Sequence, residues 1–214
     1  MPINVEKYNS LKAKLTNENV ELIAVSKTKP IEDIKLLLAL GHINFGENYV
    51  QELVDKYEQL PKNIHWHFIG HLQTNKVKYI APFVHLIHGV DSFKLLKEIN
   101  KQAQKNNRII SCLLQIYIAQ EETKFGLDEN ELELIMIELN KNELKNVEVK
   151  GLMGMASFLD DMELIKQEFK YLKNLYNKYN QFEILSMGMS SDYETAIVEG
   201  SNMVRIGSLI FGSR

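Results

Sequence analysis

The chain has 214 residues, 45% of them hydrophobic and 25% charged, with a formal net charge of −3 at pH 7. That balance suits one globular domain over residues 1–214 with a real core, and it argues against a basic surface for nucleic acid or an anionic membrane. A single cysteine, Cys112, excludes an intramolecular disulfide and fits a reducing cytoplasm; the N-terminus lacks an apolar leader and no run nears about 18 apolar residues, so neither signal peptide nor membrane span is expected.

Tyr8, Leu11 and Leu15 recur at helical spacing and predict an amphipathic helix over residues 2–16. Leu22-Ile23-Ala24-Val25 reads as a buried strand from Glu21 to Ser26. Pro30 suits the first turn of a helix from Ile31 to Leu40, with Gly41 at its C-cap. A second strand, Ile43 to Phe45, leads through Gly46-Glu47-Asn48 into a helix that Pro61 breaks. Ile64 to Ile69 is a third strand, and Gln73 to Ile80 a third helix. His85 to Val90 is a fourth strand, and Ser92 to Lys105 a strong helix. Arg108 to Ile118 is a fifth strand, Asp128 to Asn140 a helix, Val147 to Met153 a sixth strand, and Asp160 to Tyr179 a long helix. Phe182 to Leu185, a short helix from Ser190 to Glu199, and Met203 to Ile206 complete the pattern.

Strict alternation with short loops implies parallel strands and crossover helices, and eight strands point to a closed (β/α)8 TIM barrel. The last helix is nearly missing, so the extra N-terminal helix is expected to fill its place. An open doubly wound sheet is the alternative, but no Gly-x-Gly-x-x-Gly follows an early strand.

Lys27 stands where the first strand gives way to a loop. Such a lysine either snorkels to solvent or is a partly desolvated amine able to attack a carbonyl. Barrel chemistry sits at the C-terminal ends of the strands, and phosphate commonly binds after strands seven and eight. There the chain carries Ser186-Met187-Gly188-Met189-Ser190-Ser191 and Arg205-Ile206-Gly207-Ser208. Ser190 or Ser191 can cap the following helix, and Ser191-x-x-Glu194 matches a capping box. The Gly207 and Ser208 amides can complete an anion cradle. Arg205, near the end of a buried strand, is either a structural ion pair or a fixed cation on the pocket floor. Strands one and eight are neighbours once the barrel closes. An amine, a phosphate cradle and a cation then converge, and a phosphorylated aldehyde such as pyridoxal 5′-phosphate fits them.

Ala24-Val25-Ser26-Lys27-Thr28-Lys29-Pro30, Phe45-Gly46-Glu47-Asn48-Tyr49-Val50-Gln51-Glu52, His65-Trp66-His67-Phe68-Ile69-Gly70, His88-Gly89-Val90-Asp91-Ser92 and Val204-Arg205-Ile206-Gly207-Ser208 together resemble the pyridoxal phosphate homeostasis proteins, the YggS and PROSC group. The resemblance covers nearly the whole chain. It implies a barrel like the N-terminal domain of alanine racemase, a fold-type-III cofactor protein. It implies that Lys27 holds pyridoxal phosphate as an internal aldimine, a Schiff base. Met189, Ser190, Gly207 and Ser208 would hold the phosphate end, Arg205 would face the pyridine nitrogen, and Asn48 would lie beside the ring.

The resemblance also implies a non-catalytic role in cofactor homeostasis and delivery to apo-enzymes. Racemases carry a second domain and dimerise, which supplies a tyrosine acid/base. A chain ending at Arg214 leaves no room for that domain, so a monomer without efficient racemisation is expected. Two departures stand out: Tyr117 where asparagine is usual, and Gly154-Met155 in place of Ala/Thr-Ile/Met-Pro. Both are expected to line the pocket. Lys124 matches a lysine linked in the family to a second cofactor contact. Weak racemase or transaminase activity is one alternative. A metal-dependent hydrolase built on His65 and His67, with His71, His85 and His88 nearby, is a more distant one. It is disfavoured because Arg205 is a poor neighbour for a metal, and packing inside the barrel is the expected role of these histidines.

Overall fold

Short β-branched runs separated by amphipathic segments can bury both sheet faces only by wrapping helices around parallel strands. The computed structural model describes residues 3–120, 125–141, 143–158 and 161–212. Strands β1 (Glu21–Val25), β2 (Asn44–Glu47), β3 (His65–Phe68), β4 (Leu86–Val90), β5 (Ile110–Ile116), β6 (Val147–Gly154), β7 (Ile184–Ser186) and β8 (Met203–Ile206) form a closed parallel barrel in sequence order. Ile23 lies opposite Arg205 where β8 returns to β1, so the exits of these two strands lie side by side. Outside run α1 (Val5–Asn17), α2 (Ile31–Ala39), α3 (Val50–Gln59), α4 (Val77–Ile80), α5 (Phe93–Lys105), α6 (Glu129–Asn140), α7 (Met162–Tyr176), α8 (Tyr193–Val198) and α9 (Ser208–Phe211).

The core has two parts. Trp66, Phe45, Phe68 and Phe169 fill the layer between strands and helices. Inside the barrel, Ile23, Leu86, Leu113, Met153 and Met203 form a separate apolar plug, as a packed (β/α)8 interior requires. Helix α1 buries Tyr8, Leu11 and Leu15 against β1 and the four-residue α9, so it does fill the place of the short last helix. Gly41 ends α2 at φ +76°, with its N–H on the Leu38 carbonyl and that of His42 on Leu37. Among the described residues no helix is long and apolar enough to cross a membrane.

Three local expectations change. The third helix opens as a 3-10 turn over Thr74–Lys76 before α4. The fifth strand starts at Ile110, after Arg108, whose guanidinium donates to the Ala81 and Val84 carbonyls at 2.6 and 2.7 Å. The capping box at Ser191 and Glu194 does not form. Asp192 occupies the N-cap of α8, its carboxylate accepting the Met189 N–H at 2.6 Å, while Glu194 pairs with Lys14 on α1.

Candidate functional site

The C-terminal ends of β1, β2, β7 and β8 surround a cavity of about 510 Å³. Lys27, Asn48, Met189, Ser190, Arg205, Gly207 and Ser208 all line it. Residues far apart in sequence thus share one space, as the strand order dictates. Lys29, Ile69 and Phe158 line it as well and were not singled out from the sequence. Lys29 ties the β1 exit to the end of α9, donating to the Phe211 and Gly212 carbonyls at 3.1 and 3.3 Å. Its place in a basic tripeptide was a signal, but surface lysines give the same one.

Arg205 is buried on the cavity floor. One guanidinium nitrogen donates to Ser186 O and Oγ at 2.9 and 2.7 Å, the other to the Gly154 carbonyl at 3.0 Å. Burial pulls its pKa down to about 10, and the Asp192 carboxylate works in the opposite direction. Arg205 is therefore a cation at neutral pH. An arginine only donates, so the Ser186 hydroxyl proton must point to Nδ1 of His88, 3.2 Å away. His88 then carries its own proton on Nε2 and donates it to Nδ1 of His67 at 3.0 Å. Nε2 of His67 is buried without a partner. Burial holds both imidazoles well below their usual pKa, hence neutral.

The remaining histidines divide. His65, half-buried, contacts Asn44 and stacks on His85 with ring centroids 4.2 Å apart; His85 is exposed, so it departs from the expected interior role. His71 departs from it too: it pairs with Asp91 at 3.0 Å and stacks on Phe125 at the surface. Among the described residues no group of three or more His, Cys, Asp or Glu side chains is arranged to hold a metal ion.

At the exits of β7 and β8, Ser190 Oγ accepts the Gly207 N–H at 3.3 Å and joins the two loops. Gly188 turns the first of these loops at φ +96°, where a Cβ would meet that of Ala196 at 2.6 Å, so glycine is required. The amides opening α9 have no intrahelical acceptor. Asn48 Oδ1 is buried without a partner. Among the described lining residues the charged groups are Lys27, Lys29 and Arg205, with no carboxylate. Cations, hydroxyls, loop amides and an unsatisfied amide oxygen form a donor-rich set suited to a phosphorylated aldehyde with a polar ring.

Two expectations about the pocket wall need correction. Tyr117 is absent from the lining. Met155 lines the cavity, but Gly154 does so through neither side: a Cβ there would meet Leu172 and Ile118 at 2.6 and 2.9 Å. Gly154 is small because α7 packs close behind it, and its link to the site is the carbonyl held by Arg205. Lys124 lies outside the described residues. Cys112 is buried, and burial pushes its thiol pKa up, against any nucleophilic role.

Residues 5–214 match the family model for the alanine racemase N-terminal domain. A pyridoxal phosphate homeostasis protein of Aquifex aeolicus is 45% identical over 201 residues, covering 91% of this chain and 87% of that protein. The Escherichia coli K12 protein of the same name is 36% identical over 205 residues, covering 92% and 87%. PipY of Synechococcus elongatus, solved with PLP bound, superposes with a TM-score of 0.88 at 31% identity, covering 97% of this chain and 99% of PipY. Clostridium difficile alanine racemase shares the fold, with a TM-score of 0.78 at 16% identity, over 100% of this chain and 58% of the racemase.

Proposed function

The chain belongs to the pyridoxal phosphate homeostasis proteins, within the wider alanine racemase N-terminal domain family, and from that premise we propose that it binds pyridoxal 5′-phosphate and serves in holding and delivering it. The observation that carries this reading is the single cavity that joins Lys27, Asn48, Arg205 and the Ser190–Gly207 loop pair. When bound, the cofactor supplies an aldehyde that condenses with amines and a ring that withdraws electrons.

Each lining residue has a definite task. Lys27 is the amine that would anchor the aldehyde carbon. Ser190, Gly207 and Ser208 would hold the phosphate end, with Met189 backing the loop. Asn48 positions the ring edge. Arg205, a fixed donor without an acceptor, would favour an unprotonated ring nitrogen and so a weak electron sink. The donor chain through Ser186 and His88 keeps the guanidinium oriented.

Holding rather than turnover is supported by the lining. Among its described residues no Tyr, His, Cys, Asp or Glu is present to move a proton opposite Lys27. The reading extends to a cytoplasmic monomer that passes its cofactor to apo-enzymes. Borohydride reduction of protein incubated with pyridoxal phosphate, followed by peptide mapping, tests it. A pyridoxyl group on the Lys27 peptide is expected; its absence, or labelling at scattered surface lysines only, would overturn the reading.

A further inference from the structure

The loop that carries Lys27 is held from behind by a buried charge cluster outside the cavity. Glu47, the last residue of β2, is buried, and its Oε1 accepts from Ser26 Oγ at 2.6 Å and from Lys56 Nζ at 2.7 Å. Lys56 sits on α3 with only 6% of its side chain exposed. Its ammonium also donates to the Ser26 carbonyl and to Glu52 Oε1, both at 2.7 Å. The same Glu52 oxygen accepts the Thr28 N–H at 2.6 Å.

One ammonium has three donors, and here all three are used. The Glu52 and Lys56 spacing, four residues on a helix, normally makes a weak exposed pair. Here the lysine is buried, which requires full pairing. The cluster grips the backbone on both sides of one residue: the carbonyl of Ser26 and the amide of Thr28. Between them is Lys27. Thr28 has φ +62°, a left-handed conformation that a β-branched residue rarely adopts without being held there.

We propose that Glu47, Lys56 and Glu52 form a clamp that sets the direction in which Lys27 leaves β1, and that they are positioning residues for the cofactor anchor. The purpose of the clamp rests on the cofactor reading above; its existence does not. Release of the Thr28 amide lets that residue relax to negative φ, and the Lys27 side chain swings with it. The amine then loses the preorganisation that a covalent anchor exploits.

The experiment has two readouts on the wild type, Lys56→Met, Glu52→Leu and Glu52→Gln. The first is amide hydrogen exchange in protein without cofactor. Glu52→Leu and Lys56→Met are expected to speed exchange at Thr28 about tenfold or more, while the β5 amides keep their protection. Glu52→Gln retains an acceptor oxygen and is expected to stay near the wild type. The second is loss of pyridoxal phosphate from loaded protein after dilution, followed by visible absorbance. It is expected to quicken in the same order, about tenfold for the Leu and Met variants. Should Lys56→Met fail to fold, Glu52→Leu, at a partly exposed position, carries the test. Unchanged Thr28 exchange in every folded variant overturns the clamp, whatever the cofactor does. Faster exchange with unchanged cofactor loss overturns the positioning role. A wild type that takes up no pyridoxal phosphate overturns the cofactor reading instead, and the Thr28 exchange still decides whether the clamp exists.

Discussion

The two ends of the barrel interior are built on opposite terms. Toward the N-terminal end and middle, Ile23, Leu86, Leu113, Met153 and Met203 make a dry plug with no polar demand. Toward the C-terminal mouth, Arg205 and Asn48 line a cavity, with Ser186 and His88 hydrogen-bonded in series behind the guanidinium. The plug supplies stability and tolerates no function. The mouth is held by hydrogen bonds whose geometry matters more than their sum, and it carries an unsatisfied oxygen on Asn48. Substitutions at the two ends are therefore expected to separate stability from cofactor binding.

The largest effect is expected at the plug. Leu113→Ala leaves a cavity in a sealed interior and is expected to lower unfolding stability by about 2–5 kcal/mol, read by urea denaturation. A change below about 1 kcal/mol would mean that the interior repacks and the contrast with the mouth is overstated.

Acidification probes the buried neutral histidines, His67 and His88 beside Ser186 and His42 under α1 against Tyr8 and Phe45. Burial lowers the pKa of His42 to about 4 and holds His67 and His88 well below the usual value. Below about pH 6.5 the unfolded chain binds protons that the folded chain refuses, so stability falls as the pH drops. For His42 the loss runs from about pH 6.5 to about 4, at up to about 1.4 kcal/mol per pH unit, with His67 and His88 adding to it. Denaturation curves at pH 7 and pH 5 check this; equal stabilities would contradict it.

At the mouth, Ser190→Ala is expected to weaken pyridoxal phosphate binding about tenfold, through one lost hydrogen bond to a charged group, with little change in melting temperature. A large stability loss without a change in affinity would assign Ser190 to the fold rather than the site. The smallest effect is expected on the outside. Lys14→Ala breaks an exposed pair with Glu194 and is expected to leave both thermal stability and cofactor binding unchanged.

The barrel was legible because its strands are short apolar runs with regular punctuation. β8 falls on Met203–Ile206 as its apolar pattern implies. The site residues were legible where a strand end meets glycine, serine or a lone cation. What stayed hidden depends on partners distant in sequence. Lys56 reads as one more charge on a polar helix; only its packing against Glu47 and the β1 exit makes it a buried residue. Ser191 and Glu194 have the spacing of a capping box, but Asp192 closes the turn first and Lys14, on α1, draws Glu194 away. Gly154 looked like a change in the pocket wall, whereas the close approach of α7 from outside explains it.

The most direct measurement is the visible absorption spectrum of the wild type and Lys27→Ala, each titrated with pyridoxal phosphate. A band that saturates near one cofactor per chain in the wild type, and is absent from the folded variant, is the expected result. A wild type that stays colourless, or a Lys27→Ala protein that develops the same band, would contradict the assignment of Lys27 as the anchor of this cavity.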